Sequence, residues 1–351
     1  MLLASLRDLQ WRRRRFLVAV IGTGLVFGLT LIMTGVSHGF DAETEATVDA
    51  LGAERWIYRD GAAGPFLGAS PMSQAEGEYL TALPGLEGAG PVLVTRKSVE
   101  SSGGTEIDVN LFGGVAGRPG MPTADVGRQP EQPGEVLISS RLTGYDVGDE
   151  VVVAGTTLTV VGERRDSTAL AGAPNVFVPL ADAQRIGFAG LPVVSAVAVV
   201  GEPTTVPDGF QVGGNDVARA DLLRAIAKAK SSLTLITVLL WLVAASIIGA
   251  VVYLSALERQ RDFAVFKATG VATRSILAGM ILQAAILAVT AAVLGSVIGT
   301  LLGPRFPMIV SLELRAHLLL PVVAVLIGCV ASVGGMRRVV TVDPALAFGG
   351  P

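Results

Sequence analysis

The chain has 351 residues, 51% of them hydrophobic and 16% charged, with a mean hydropathy of +0.59 and a formal net charge of −3. That balance is too apolar for an ordinary soluble enzyme and the length is too great for one small domain, so a membrane protein is the first expectation. The single cysteine, Cys329, excludes an intrachain disulfide and any cysteine-based metal site. His38 and His317 stand far apart beside the ends of apolar runs, so no metal is expected.

A helix needs about 20 uncharged residues to cross the ~30 Å hydrocarbon core. Four runs meet that requirement: residues 16–37, 231–257, 275–304 and 316–336. The first follows a basic segment, residues 1–15, that carries Arg7 and Arg12, Arg13, Arg14 and Arg15. Arg13, Arg14, Phe16 and Leu17 match part of a twin-arginine export signal. The run of 22 residues is too long for one, however, and no small-x-small cleavage site follows it, so it reads as a retained anchor.

Residues 38–230 change character, with short β-type runs between glycines and prolines. Residues 41–51 read as a helix continuing from the first span and 219–230 as a helix leading into the second, together forming a stalk. Strands are predicted at 54–58, 92–94, 107–111, 136–138, 150–153, 157–161, 176–178 and 193–200. A hairpin turns at 154–156, where Gly155 can take a positive φ. Residues 113–133 are rich in Gly and Pro and read as a long loop with the composition of a mobile segment. No catalytic set emerges: Ser139 and Ser140 lack a histidine partner within the domain apart from His38 at the membrane edge, and Asp149 and Glu150, adjacent on a strand, point to opposite faces.

Beyond the second span lies a charged loop, 258–274, then the third span, a short loop at 305–315, the fourth span, and a tail at 337–351. In the third span Gly295, Gly299 and Gly303 recur every four positions; this spacing permits close helix packing and equally reflects a glycine-rich composition. Orientation follows the side on which Lys and Arg collect. The N-terminal segment, the 258–274 loop and the tail hold 11 basic residues against 4 acidic ones, whereas 38–230 holds 14 basic against 25 acidic. Both termini are therefore expected in the cytoplasm and the large domain outside it. The predicted fold is an α-helical membrane protein of four transmembrane helices, with an α+β extracytoplasmic domain inserted between the first and second. No Asp, Glu, Lys or Arg lies within the four runs, which argues against a proton-coupled carrier. No nucleic-acid partner is expected.

The most specific segment is the 258–274 loop. Glu258, Arg259, Arg261 and Asp262 precede Phe263, Phe266, Lys267 and Ala268, and Gly270 is placed to end a helix. Phe263 and Phe266 share a face, so the helix fits a groove on a cytoplasmic partner as well as it fits the lipid interface.

This loop resembles the Glu-Arg-x-Arg-Glu-(Ile/Phe)-Ala-x-x-(Arg/Lys)-Ala-x-Gly-Ala motif of the MacB/FtsX-like permease family of ATP-binding-cassette systems. Glu258, Arg259, Arg261, Phe263, Ala264, Lys267, Ala268 and Gly270 fit it; Asp262 stands for the second Glu, and Thr269 and Val271 depart from it. Residues 136–162 and 175–184, the closing Asp343-Pro344-Ala345 with Ala347, and the order of one span, an outside domain and three spans are also similar. The resemblance implies a permease subunit without catalysis of its own, paired with a second copy and with two copies of a separate ATPase that binds ATP and Mg. This chain has no G-x-x-x-x-G-K-[ST] loop for nucleotide phosphates. Glu258 to Gly270 would then be the coupling helix. The motion would export or extract an amphiphilic compound, or, as in the cell-division branch, activate an outside hydrolase. The size of the outside domain favours export.

Overall fold

The computed structural model describes residues 13–100, 106–306, 309–312 and 314–340. Arg7, Arg12 and the closing Asp343-Pro344-Ala345 with Ala347 lie outside the described residues, as do the side chains of Lys267, Ala268, Arg337 and Arg338. The chain divides into two units, one holding residues up to His38 and from Lys230 onward, the other Gly39–Ala229.

Helix α1, Arg13–Ala50, is continuous over 38 residues and contains no proline. At about 1.5 Å per residue it reaches about 57 Å, nearly twice the ~30 Å hydrocarbon core. The other long helices are α5 (Ala227–Glu258), α7 (Thr273–Leu302) and α8 (Leu314–Val340), with the short α6 (Gln260–Ala268) between α5 and α7. Among the described residues α1, α5 and α7 are long and apolar enough to cross a membrane, and α8 is apolar over Leu314–Val330. Pro321 lies inside α8, a position that membrane helices tolerate. The bundle interior is rich in small side chains: Ala244, Ala256, Ala284, Ala288, Ala291, Ala292 and Ala324 are buried beside larger residues such as Phe27, Ile248 and Leu287, while Leu235, Leu242, Val293, Leu301 and Leu326 are exposed.

The second unit is a three-layer α+β domain. Its strands are β1 (Arg55–Arg59), β2 (Met72–Ser73), β3 (Leu86–Glu100), β4 (Glu106–Gly114), β5 (Val126–Gly127), β6 (Glu135–Ser139), β7 (Glu150–Val153), β8 (Thr156–Arg164), β9 (Thr168–Ala169), β10 (Ala173–Pro179), β11 (Val193–Val194), β12 (Ala196–Gly201) and β13 (Phe210–Gly214). The main sheet runs β13-β1-β12-β3-β4-β10-β6-β8-β5, with β7 bridging β3 and β8. Most pairs are antiparallel; β10 with β4 and β6 with β8 are parallel.

Because side chains alternate along a strand, the sheet has two apolar faces. Leu93, Leu111, Val136, Ile138, Val176 and Val178 look one way, towards α2 (Gln74–Thr81) and α3 (Leu180–Phe188), which contribute Leu80, Leu180 and Ala183. Val92, Val94, Phe112, Leu137 and Phe177 look the other way, towards Val48 of α1, Leu51 just after it, and Ala218 and Leu222 of α4 (Asn215–Ala225).

Several sequence expectations change. Helices α2 and α3 were not foreseen, although Ser73 and Glu76 form a capping box at the start of α2. The 113–133 loop is fixed: Gly120 N donates to Leu51 O at 2.7 Å, Met121 is buried, and β5 pairs with β8. The helix expected at 219–230 begins earlier, as α4, and breaks at Ile226 (φ −107°, ψ 9°) before α5. The 154–156 hairpin turn has both central residues left-handed, Ala154 at φ 45° and Gly155 at φ 78°, the two-residue turn whose twist matches the strands.

Candidate functional site

Helix α5 stops at Glu258, and the chain restarts as α6 within two residues. The stop at the far end is set by Gly270, at φ 88°. Val271 N reaches back to Phe266 O at 2.9 Å, closing a left-handed cap that a residue with a Cβ would strain. Val271 and Phe266 both pack at the edge of the bundle core, the apolar contact that accompanies such a cap.

Three charged residues of the motif, Glu258, Arg259 and Asp262, are engaged within the chain. Arg15 of α1 meets Glu258 at 2.9 Å, and its other terminal nitrogen donates to Val251 O at 3.3 Å, so one arginine ties the first long helix to the second. Arg259 lies 3.8 Å from Asp262, and its guanidinium sits 5.6 Å from the centre of the Phe263 ring. Both arrangements hold α6 close to the end of α5. Sequence reasoning treated Arg15 only as a topology-setting cation. The signal it missed was that a cation just before one apolar run and an anion just after another lie at the same level of the bundle.

The aromatic pair faces differently from the expectation. Phe263 and Phe266 do share a face, but that face is turned into the bundle, where both rings are half-buried around the buried Ala264. The rings pack against the chain's own apolar surface, which anchors α6. The outward face carries Arg261, Asp262, Val265 and Thr269, and Val265 is 48% exposed. An exposed valine between charges on this face was not singled out from sequence.

The third-span glycines divide. A Cβ on Gly295 would meet Phe27 Cβ at 2.7 Å and Gly28 N at 2.9 Å, and one on Gly299 would meet Leu31 Cδ2 at 2.8 Å. On the facing helix, Cβ atoms on Gly24 and Gly28 would meet Leu294 at 2.8 Å and Ile298 at 2.9 Å. Helices α1 and α7 thus cross backbone against backbone through small residues on both sides. Gly303 is different: its nearest neighbour would be Leu312 at 3.5 Å, an ordinary contact.

In the sheet domain, α1 is gripped through a buried acid. Glu43 accepts from Thr168 Oγ1 at 2.9 Å and from Gly172 N at 3.2 Å, and burial pushes its carboxyl above the usual range. One turn on, Thr47 donates to Thr168 O at 2.8 Å and accepts from Asn175 Nδ2 at 3.0 Å. The loop they hold is strained, with Leu170 and Ala171 side by side at φ 56° and 72°. Helix α4 is gripped in the same way: buried Asp221 accepts from Phe66 N at 2.8 Å and Gly68 N at 2.9 Å. Arg219 of α4 crosses to Glu45 at 3.2 Å and Asp49 at 2.9 Å of α1. Among the described residues, no three His, Cys, Asp or Glu side chains gather where they could hold a metal.

Comparison with known proteins is consistent along the whole chain. Residues 16–211 match the MacB-like periplasmic core domain and 234–339 the FtsX-like permease C-terminal family. Over 351 residues, and 100% of both chains, the sequence is 48% identical to an uncharacterized ABC transporter permease of Mycobacterium bovis. It is 47% identical over the same span to one of Mycobacterium tuberculosis. A permease protein named for hemin transport in Staphylococcus haemolyticus is 20% identical over 365 residues, 98% of each chain. The periplasmic region of MacB from Actinobacillus actinomycetemcomitans, at 10% identity, covers 48% of this chain and 91% of its own with a TM-score of 0.37.

Proposed function

The chain belongs to the MacB/FtsX-like permease family of ABC transporters, and from that premise we propose that an ATPase docked on α6 moves the outside domain to export or extract an amphiphilic substrate. The proposed complex has two copies of this permease and two of a separate ATPase, which binds the ATP and Mg. Each permease spans the membrane four times, through α1, α5, α7 and α8, with both termini inside and the sheet domain, residues 38–230, outside.

The observation that carries this reading is the mounting of α6. It is pinned by the Gly270 cap, by two inward phenylalanines and by the Arg15–Glu258 pair at the ends of α1 and α5. A force on its exposed face, Arg261, Asp262 and Val265, would pass into both helices at once. At the other end α1 is held to the sheet by Glu43 and Thr47, and α4 to the loop after β1 by Asp221, which lets helix displacement reach the domain. Coupling needs such a two-state element biased from both ends.

The test is Val265→Asp in the full-length permease, co-purified with its ABC ATPase in detergent. Loss of association by tenfold or more, with the thermal unfolding of the permease unchanged, is expected; intact association overturns the docking assignment. Export is tested on the reconstituted complex by the stimulation of ATP hydrolysis across an amphiphile library. Stimulation by a cell-wall hydrolase and by no amphiphile overturns it.

A further inference from the structure

Two arginines, Arg305 between α7 and α8 and Arg315 at the start of α8, have no place in the coupling scheme. On the orientation given above they lie on the outer side, where basic residues are depleted. Arg305 is partly occupied, since its Nη1 donates to Leu301 O at 2.9 Å. Arg315 is exposed and makes no ion pair with any described residue.

Arg315 stands over a cavity of about 450 Å³ in the bundle, within the range of small-ligand sites. Its walls are Leu31, Leu319, Leu320 and Val323, and it is also lined by His38 and Trp241. The two threonines that line it, Thr30 and Thr34, are already satisfied, their hydroxyls donating to Val26 O at 2.8 Å and Thr30 O at 2.9 Å. The polar capacity left over is therefore Arg315, His38 and the indole N–H of Trp241. His38 is near the end of the apolar part of α1 and Arg315 at the start of α8, so these donors gather at one end of an otherwise oily cleft. Arginine and tryptophan are the residues that reach from an apolar body to the headgroup level.

We propose that this cleft binds an anionic phospholipid of the surrounding membrane, its phosphate held by Arg315 and His38 and one acyl chain lying between α1 and α8. Charge selects the occupant: among the described lining residues the rim offers donors and a cation and no carboxylate, whereas the walls offer mostly hydrocarbon. The proposal holds whether or not α6 docks an ATPase.

The full-length protein in phosphatidylcholine nanodiscs, doped with a phosphatidylglycerol probe carrying a photoreactive acyl chain, provides the test. Labelled peptides mapped by mass spectrometry should include α1 near Thr34 and α8 near Leu319. Arg315→Gln with His38→Gln should lower that labelling by about fivefold or more, the worth of one basic group near an anionic headgroup. Arg315→Lys should retain it, and Arg305→Gln should leave it unchanged, which separates a lost charge from a damaged fold. Equal labelling by a phosphatidylcholine probe, labelling indifferent to the double variant, or displacement of the probe by inorganic phosphate would each overturn the assignment.

Discussion

The two units of this chain bury side chains of different size in different proportion. In the sheet domain the fully buried residues are large, Trp56, Phe112, Phe177, Leu137 and Ile138 among them. In the bundle about half of the buried core residues are alanines, beside Phe27, Ile248 and Leu287, and many leucines and valines face out. Water outside the sheet domain drives bulk inward. A bundle surrounded by lipid gains nothing by hiding leucine from a solvent as apolar as leucine, so its helices adhere by close approach and dispersion, which small residues allow. One chain thus shows how the solvent decides what a core is made of.

Trp56→Ala should break the first half of the contrast most severely. Trp56 meets Phe66 edge to face at 4.7 Å, and its indole N–H donates to Asn215 Oδ1 at 2.9 Å. Removing it should cost about 3–5 kcal/mol, read as proteolysis of the outside domain and loss of its thermal transition in the full-length protein. The matched change in the bundle, Leu242→Ala, removes a side chain that is 58% exposed and should stay within about 0.5 kcal/mol. A large loss there would mean that Leu242 is covered by protein rather than lipid.

Gly295→Leu should break the second half. The new side chain would start against Phe27 and the backbone of Gly28, so α1 and α7 must separate, at about 1–3 kcal/mol. Unfolding in mixed micelles should show it, and Gly303→Ala should be silent because its Cβ has room. Equal losses from both substitutions would remove close packing as the explanation.

What could be read from the sequence follows the same division. Apolar length announced α1, α5 and α7, and Gly270 announced the end of α6, because these are local signals. The mates of Gly295 could not be read: Gly24 and Gly28 lie over 260 residues away, and four-residue spacing names no partner. Strand β3 was read as residues 92–94 only, since Gly88, Gly90 and Pro91 look like breakers. In the fold Gly90 is needed there, because any Cβ would collide with the backbone oxygen of Pro119. The facing of Phe263 and Phe266 was lost for a related reason. Period fixes which residues share a face, and only tertiary packing fixes where that face looks.

The smallest effect tests Glu43, one of the acids that the sheet domain buries. Burial raises the Glu43 carboxyl above its ordinary 4.5, only partly offset by the hydrogen bonds from Thr168 and Gly172 and by the charge of Arg141. The folded state therefore holds this proton more tightly than the unfolded chain. Its contribution is fully present below pH 4.5 and is lost as pH rises through the folded value. Glu135 works in the opposite sense. The Arg128 guanidinium beside it lowers its carboxyl to about 2, so its stabilisation is present above 4.5 and lost as pH falls towards 2. The two windows do not overlap, so Glu43→Gln should flatten the decline in stability just above pH 4.5 and leave the acid limb unchanged. Its amide keeps an acceptor for Thr168 but turns a donor towards Gly172 N, so about 1 kcal/mol should be lost at low pH. An unaltered slope above pH 4.5 in full-length Glu43→Gln would mean that Glu43 is solvated, and that α1 is not gripped by a buried acid.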